Sequence, residues 1–263
     1  MKISVCGKGG SGKSIMVALL AKELSHRGYQ VLVVDCDESN SALYRILGFD
    51  RPPESVLDLM GGKSKLKEKM SVGFSKGQPE AKMQVLPPDQ ILVSQLPAEH
   101  VRHADGLTLL SIGKIQHSLE GCACPMGVLG REFLGKLSLG KKEIAVADME
   151  AGIEHFGRGL GTSVDAVLIV VEPSFESLQL ASRIAQLAAE SRVRRTSAVL
   201  NKVTSAEMGA RLTAELNKRG IRPVGTVRYD PQVFEAALEG RGLGEGTATA
   251  DVRGIADALL AET

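Results

Sequence analysis

The chain has 263 residues, a net charge of +1 and 3% aromatic residues. This length suits a single α/β domain over 1–263. The balanced charge and scarce aromatic residues argue against a nucleic-acid-binding surface. No apolar run reaches the roughly 20 residues of a membrane span. Because the first predicted strand leaves no room for a signal peptide, we expect a cytoplasmic protein that binds neither nucleic acid nor membrane.

The first motif is a phosphate-binding loop. Residues 7–14 fit the pattern G-x-x-x-x-G-K-[ST], after an apolar strand at 3–6 and before a helix at 15–27. A glycine-rich turn could match by chance, but strand, loop and helix stand in the required order. Lys13 would reach the β- and γ-phosphates of ATP or ADP, and Ser14 would bind Mg²⁺. The candidate nucleotide-binding residues here are Gly9, Gly10, Ser11, Gly12, Lys13, Ser14 and Ile15.

Lys8 adds a second lysine to this loop. It could be a solvated surface lysine, or a charge aimed at a nucleotide in another copy of the chain. With this lysine the sequence resembles the deviant-Walker ATPases, the group that holds MinD, ParA and the nitrogenase iron protein. The resemblance implies that Lys8 crosses a homodimer interface to the ATP of the partner.

The rest of the chain alternates apolar runs with helical stretches. Buried strands are predicted at 31–34, 107–112, 144–147, 166–171, 197–200 and 224–227, and an edge strand at 91–93. Helices are predicted at 128–137, 174–191, 206–219, 232–239 and 250–261. Residues 51–90 lack periodicity, which favours short helices and exposed loops. The alternation predicts an α/β fold with a mostly parallel, doubly wound sheet and helices on both faces.

Carboxylates follow two of these strands, at the ligand-binding edge of such a sheet. The resemblance implies that Asp37 lies in a first switch, residues 35–41, where it works near the attacking water and Mg²⁺. Asp35 could face the same site or cap a turn. Asp148 has the Walker-B pattern and would hold Mg²⁺, usually through water. With Lys8 and Lys13, Asp37 and Asp148 are the candidate catalytic residues.

A second switch, residues 149–159, follows Asp148 and is similar to that of the same family. Gly152 would place a backbone N–H near the γ-phosphate. Glu154, His155 and Arg158 are predicted to form a local polar cluster, with His155 as a catalytic base as the alternative.

The base side of the nucleotide is predicted near Asn201 and Lys202. In relatives an asparagine at the end of this strand reads the base, because its amide donates and accepts at once; a strand-end turn residue is the alternative. The stretch at 228–231, with Asp230 and Pro231, would close over the base through backbone groups.

A C-x-C motif, Cys122-Ala123-Cys124, gives the last candidate site. Reduced cytoplasmic thiols are core residues or metal ligands rather than disulfides. Two thiolates are half of a tetrahedral site, and a two-fold dimer would supply the other half; two unliganded thiols are the alternative. The pair resembles that of CooC-type proteins, the nickel-insertion ATPases of carbon monoxide dehydrogenase. His103, His117 and Met126 lie nearby in sequence but are not expected to be ligands.

These features predict an ATP-hydrolysing metallochaperone. Its homodimer would hold Ni²⁺ or Zn²⁺ between the cysteine pairs, and carbon monoxide dehydrogenase would be the client that the resemblance implies. One alternative is a spatial organiser of the MinD or ParA type, although the helix at 250–261 lacks a basic amphipathic face. The other is an ATP-driven reductase or cluster carrier with an iron–sulfur cluster across the dimer.

Overall fold

The computed structural model describes residues 1–75, 77–78, 83–87, 89–115, 124–157 and 159–261. The strands in these ranges are β1 (Lys2–Gly7), β2 (Gln30–Asp35), β3 (Ile91–Leu92), β4 (Val101–Ala104), β5 (Leu107–Ser111), β6 (Leu137–Ser138), β7 (Glu143–Asp148), β8 (Ala166–Val171), β9 (Arg195–Val203) and β10 (Arg222–Arg228). The α-helices are α1 (Lys13–His26), α2 (Leu43–Leu47), α3 (Val56–Leu59), α4 (Gly62–Ser75), α5 (Cys124–Lys136), α6 (Glu154–Gly157), α7 (Phe175–Glu190), α8 (Ala206–Lys218), α9 (Pro231–Glu239) and α10 (Thr247–Leu260).

Eight strands form one sheet in the order β10-β9-β8-β1-β7-β2-β5-β4. Every neighbouring pair is parallel except β4 and β5, which are antiparallel. The order reverses its direction at β1, so the loop after β1 lies at the kind of switch point where such sheets bind ligands. The predicted doubly wound α/β architecture is confirmed.

The two faces of the sheet are buried against separate helix layers. In β2, Val31 and Val33 join the core that includes α1 and α10, whereas Leu32 and Val34 join the core that includes α5, α7 and α8. Successive side chains of a strand point to opposite faces, so a strand covered on both faces must be apolar throughout. That is why these strands appear in the sequence as continuous apolar runs.

The edge strand predicted at 91–93 forms at Ile91–Leu92, but it does not belong to the main sheet. Residues Ile91–Leu92 pair with Leu137–Ser138 in a separate two-stranded sheet, and a 3-10 helix follows at Val93–Gln95. One edge of the main sheet is β4, which the sequence analysis missed because most of β4 is exposed and lacks an apolar run. Asp105 and Gly106, both with positive φ, join β4 to β5 in a tight hairpin. Asp-Gly is the sequence signal that predicts such a turn.

Two further boundaries differ from the predictions. Helix α5 begins at Cys124, four residues before the predicted start at 128, because Pro125 occupies its first turn. Proline is favoured there, since its missing N–H is not needed. Strand β9 extends to Val203, so Asn201 and Lys202 lie inside the strand and not beyond its end.

Within the stretch at 51–90, predicted to hold short helices and exposed loops, the structure forms the short helix α3 and the 14-residue helix α4. Ser55 and Asp58 make a reciprocal capping box at the start of α3, and α4 then runs for 14 residues. Among the described helices, none is both long and apolar enough to span a bilayer. The one-domain organisation over 1–263 stays a prediction.

Candidate nucleotide site

The phosphate-binding loop starts at Gly7, the last residue of β1. Gly7 has φ +151°, and a Cβ there would lie 2.6 Å from the carbonyl oxygen of Val170 on β8. Gly10 and Gly12 also have positive φ, at +79° and +94°, and Gly12 is the N-cap of α1. Only glycine adopts such conformations without strain. The positive end of the α1 dipole therefore lies at the loop, where phosphates bind in such motifs.

Lys13 and Ser14 are the first residues of α1. Lys13 is buried, and its Nζ lies 3.5 Å from the Lys8 carbonyl oxygen, so its ammonium folds back toward the loop. Ser14 Oγ donates to Asp148 Oδ2 at 2.5 Å and accepts from Asn40 Nδ2 at 2.7 Å. The predicted Mg²⁺ ligands Ser14 and Asp148 are thus in direct contact.

Asp148 is suited to bind a cation. It is completely buried, and no donor in the described part of the chain bonds its Oδ1. Burial, with the nearby charge of Asp35, raises the pKa of Asp148 to about 7. Hydroxyl and carboxylate oxygens are the ligands that Mg²⁺ prefers, so Ser14 and Asp148 fit the ion. A bound Mg²⁺ would also lower that pKa, because an opposite charge favours the carboxylate.

The first switch lies beside this pair. Asp37 is buried, and its Oδ1 accepts from the N–H and Oγ of Ser39 at 2.9 and 2.6 Å. Asp35 is also buried at this edge, and its Oδ2 forms a 2.7 Å ion pair with Lys114. Burial raises the pKa of Asp35 to about 6, even though Lys114 lowers it. The sequence analysis missed Lys114, a cation placed just after a buried strand at the carboxylate-bearing edge.

The second switch passes under the phosphate loop. Gly152, with φ +97°, donates its N–H to the Gly7 carbonyl oxygen at 3.4 Å. Gly152, which is predicted to place its N–H near the γ-phosphate, therefore contacts the phosphate-binding loop directly. Asp37, which follows β2, and Asp148 with Gly152, at the end of β7 and just after it, therefore lie at the same edge of the sheet.

Of the polar cluster predicted at Glu154, His155 and Arg158, the structure describes the first two residues. This histidine is buried, with its Nε2 3.3 Å from Cys6 Sγ and its ring 4.7 Å from that of Phe156. Glu154 accepts from the Ile153 N–H at 3.0 Å, and Arg158 lies outside the described residues. Burial also raises the pKa of the Cys6 thiol to about 12. His155 and Cys6 thus pack against each other in the interior of the protein.

Lys8 is held by its own chain. Its Nζ lies 3.2 Å from Glu172 Oε1 and 3.2 Å from Glu176 Oε2. Lys202 binds the other oxygen of Glu172, also at 3.2 Å. The predicted contact of Lys8 with a partner's nucleotide would require Lys8 to leave both carboxylates.

The base side of the loop borders a cavity of about 220 Å³. Its lining includes Gly12, Ile15, Asn201, Lys202, Tyr229, Asp230 and Phe234. Asn201 is buried and donates from Nδ2 to the Ser11 carbonyl oxygen at 2.8 Å, so part of its amide positions the loop. The sequence analysis missed Tyr229 and Phe234, whose ring centroids lie 6.5 Å apart in this lining.

Asp230 and Pro231 begin α9 at the far side of this cavity. Asp230 is the N-cap, and its carboxylate accepts from the N–H groups of Gln232 and Ala248, both at 3.0 Å. Its side chain therefore stabilises the starts of two helices, α9 and α10.

Of the cysteine pair, Cys122 lies outside the described residues, and Cys124 is the first residue of α5. His117 also lies outside them. Met126 is buried in the core, and His103 bonds Thr108 Oγ1 at 2.8 Å on β4. Within the described ranges, no three His, Cys, Asp or Glu side chains cluster as metal ligands would.

Known proteins with this arrangement identify the class. Residues 3–243 match the family described as CobQ/CobB/MinD/ParA nucleotide binding domain. MinD of Pyrococcus furiosus superimposes with a TM-score of 0.69 at 18% identity, covering 100% of this chain and 99% of that one. MinD of Pyrococcus horikoshii, solved with Mg-ADP, gives 0.68 at 17% identity, covering 98% of this chain and 95% of that one. These structures share the fold.

Two relatives are closer in sequence. An uncharacterized ATP-binding protein of Methanocaldococcus jannaschii is 45% identical over 71% of this chain and 73% of its own length. The carbon monoxide dehydrogenase accessory protein CooC of Rhodospirillum rubrum is 35% identical over 78% of this chain and 75% of its own. The chain belongs to the CobQ/CobB/MinD/ParA nucleotide-binding family. It is an ATPase of the MinD/ParA type.

Proposed function

We propose that the protein is an ATP-hydrolysing metallochaperone whose dimer carries nickel to carbon monoxide dehydrogenase. The observation that carries the proposal is the C-x-C motif, whose second cysteine begins α5, in a chain 35% identical to a carbon monoxide dehydrogenase accessory protein. The stretch from β5 toward that motif leaves the sheet at the nucleotide edge, where the N–H groups of Ile112 and Ile115 bond the carbonyl oxygens of Asp35 and Glu38.

The nucleotide chemistry would be done by residues that this edge brings together. Lys13 would neutralise the β- and γ-phosphates, and Ser14 with Asp148 would hold Mg²⁺, which supplies positive charge to the phosphates. Asp37 would orient the attacking water, and the Gly152 N–H would contact the γ-phosphate. Lys8 of a second copy would stabilise the charge that develops on the transferred phosphoryl group.

The base would occupy the cavity beside Asn201. Asn201 keeps a carbonyl oxygen and one N–H beyond its bond to Ser11, enough to accept from and donate to a base. Lys202, Asp230 and Pro231 would border it, the last two through backbone groups. These base contacts are part of the proposal.

The metal is cargo, and two copies would have to share it. One chain offers only the two thiolates of Cys122 and Cys124, whereas Zn²⁺ and similar ions take four ligands in a tetrahedral site. A two-fold dimer brings identical pairs together at its axis. Nucleotide binding that changes the distance between the two pairs would then close or open the site.

The rival reading as a spatial organiser has less support. The two MinD structures share the fold, but at under 20% identity they give no support for a shared function. In this chain, α10 packs Val252, Ile255 and Leu259 against the sheet and α1, so its apolar face is already used. An amphipathic membrane anchor needs such a face free.

Metal analysis after anaerobic purification tests the proposal. We expect about one nickel or zinc ion per dimer, lost in Cys122→Ser and kept in the control Cys36→Ala. A brown protein with iron and inorganic sulfide would instead support the reductase. If the purified protein holds no metal and its cysteine variants have the same metal content as wild type, the result would favour the spatial-organiser function. The proposed client is tested by adding the protein, ATP and nickel to nickel-free carbon monoxide dehydrogenase and measuring whether the enzyme becomes active.

A further inference from the structure

The start of helix α9 places two aromatic rings at the cavity beside the phosphate loop. Tyr229 precedes the N-cap Asp230, and Phe234 lies in the first helical turn, where its N–H donates to the Asp230 carbonyl oxygen at 3.1 Å. The two ring centroids are 6.5 Å apart, and the ring planes are tilted by 43°. Both side chains line the cavity of about 220 Å³. The aromatic pair therefore forms part of the cavity wall.

These two rings are exposed although they are largely apolar. Phe234 is 56% exposed and Tyr229 is 45% exposed, in a chain with only 3% aromatic residues. Aromatic side chains gain free energy when a second apolar surface removes them from water. A flat ring system that entered the cavity would cover part of this exposed surface.

The cavity is continuous with the phosphate loop. Its lining includes Gly12, the N-cap of α1, and Ile15 in the first turn of that helix, together with Val233 and Phe234 of α9. Asn201 of β9 lines it as well. Its volume is below the roughly 300–1,000 Å³ of pockets that hold drug-sized ligands. The cavity therefore suits one ring system whose attached phosphates are held at the loop, rather than a complete nucleotide.

Local helix geometry gives an alternative explanation for the aromatic pair. An apolar residue just before an N-cap often packs against the fourth residue of the helix, and this contact fixes how the chain enters the helix. Tyr229 and Phe234 occupy these two positions of α9. Such a staple explains why the rings are close, but it does not require them to line a cavity. The two explanations differ in their consequence, because a staple contributes to stability and a stacking residue contributes to nucleotide affinity.

We infer that Phe234 is a base-stacking residue, which contacts one face of the nucleotide base while Asn201 bonds an edge of that base. Every base has a π face, so such a contact adds affinity for any base. Purines have the larger ring system and bury more surface on the ring, so Phe234 also favours purine over pyrimidine nucleotides. This inference rests on the proposed placement of the base beside Asn201, and it holds whatever the cysteines bind.

Affinities for Mg·ATP and for inorganic tripolyphosphate test the contact, because only ATP carries a base. Phe234→Ala is expected to weaken ATP binding by about fivefold to a hundredfold and to leave tripolyphosphate binding at the wild-type level. Phe234→Leu lacks a ring and should also bind ATP weakly, whereas Phe234→Trp keeps a ring and should bind ATP more tightly than Phe234→Leu. Leu238→Ala is the control, since Leu238 is 76% exposed one turn further along α9 and lies outside the cavity lining.

Phe234→Trp also gives a direct optical signal, since the chain contains no tryptophan. A base that stacks on the indole ring should quench its fluorescence when Mg·ATP or Mg·ADP binds, whereas tripolyphosphate should not. Leu238→Trp supplies the background, because no base is expected to reach that position. A staple without stacking predicts no quenching that depends on the base.

Three results would overturn the inference. The first is wild-type ATP affinity in Phe234→Ala. The second is fluorescence of Phe234→Trp that ATP and tripolyphosphate change equally. The third is a Phe234→Ala variant that binds ATP and tripolyphosphate equally weakly and melts at a lower temperature, which would assign the ring to the start of α9 alone.

Asn201→Ala separates this inference from the proposed base site. If Asn201→Ala and Phe234→Ala both keep the wild-type ratio of ATP affinity to tripolyphosphate affinity, the base lies outside this cavity and both ideas are refuted. If only Asn201→Ala lowers that ratio, the base site stands and the stacking role of Phe234 is overturned. The metal analysis tests the metallochaperone independently of both variants.

Discussion

Lys8 Nζ lies 3.2 Å from Glu172 Oε1 of its own chain, and Glu172 holds Lys202 with its second oxygen. Glu176 adds a further carboxylate 3.2 Å from Lys8. Hydrogen bonds to Glu172 and then Glu176 raise the pKa of Lys8, so the ammonium is firmly charged. Although burial opposes it, the bonds from Lys8 and Lys202 keep the pKa of Glu172 below its ordinary value. Lys8 is therefore ion-paired within the single chain.

Releasing Lys8 from these carboxylates should favour the dimer. In Glu172→Gln with Glu176→Gln, ATP-dependent dimerisation is expected to tighten by about twofold to tenfold, because exposed ion pairs are each worth roughly 0.2–1 kcal/mol. Sedimentation equilibrium with ATPγS measures this, and Glu207→Gln on α8 is the control. A weaker dimer would instead place the two carboxylates among the attractive contacts of the interface.

Substitutions of the two lysines in the loop should have different effects. Lys8→Ala is expected to keep ATP affinity within about threefold and lose dimerisation and most hydrolysis, because under the proposed function its charge would act in the partner's site. Lys13→Ala should lose ATP binding itself, because Lys13 lies inside the phosphate loop. Nucleotide titration and size-exclusion chromatography separate the two. Normal ATP-dependent dimerisation of Lys8→Ala would refute the cross-dimer role.

Asp148 gives a pH dependence with a definite sign. Its pKa is raised from 3.8 to about 7 in the folded protein, so between these values the folded state holds more protons than the unfolded state. The free energy of unfolding then falls as pH rises through that window. In nucleotide-free protein, Asp148→Asn should raise the melting temperature at pH 8 by about 3 °C or more and change it little at pH 4.

The same variant should bind Mg·ATP more weakly, because a neutral amide is a poorer Mg²⁺ ligand than a carboxylate. Isothermal titration with and without Mg²⁺ measures this loss. An equal rise in melting temperature at both pH values would contradict the buried-charge explanation.

Gly7 tests the packing of the phosphate loop. A Cβ at Gly7 would approach the Val170 carbonyl oxygen and require φ +151°, so Gly7→Ala should cost about 3 kcal/mol of stability. Gly28 has φ +83° but open space around it, and Gly28→Ala should cost only about 1 kcal/mol. Urea denaturation measures both. Similar losses would show that backbone strain alone, without the clash, accounts for Gly7.

The fold and the phosphate loop were predictable because their signals are local. The apolar run before Gly7 marks β1, and the loop pattern through Ser14 is continuous in sequence. The carboxylates Asp37 and Asp148 could be assigned to one edge because parallel strands end there together. The strand β4 could also have been found, since Asp105-Gly106 is a hairpin signal.

The contacts that organise the site were not predictable in this way. Lys114 and Asp35 are separated by 79 positions, and nothing in either local pattern indicates their pairing. His155 reads as a polar switch residue, yet the packing of β1 puts it against Cys6 in the core. Such contacts depend on which strands become neighbours and on how far each loop folds back. Side-chain partners across the sheet edge emerge only from the assembled fold.

Nickel affinity as a function of nucleotide tests nucleotide-controlled metal binding most directly. The wild-type dimer is titrated with Ni²⁺ against a chromophoric chelator in Mg·ADP and in Mg·ATPγS, with Cys122→Ser as the blank. The proposed function predicts affinities that differ by about tenfold or more between the two nucleotides, and no high-affinity site in Cys122→Ser. Equal affinities in both nucleotides, or tight binding that survives in Cys122→Ser, would contradict it.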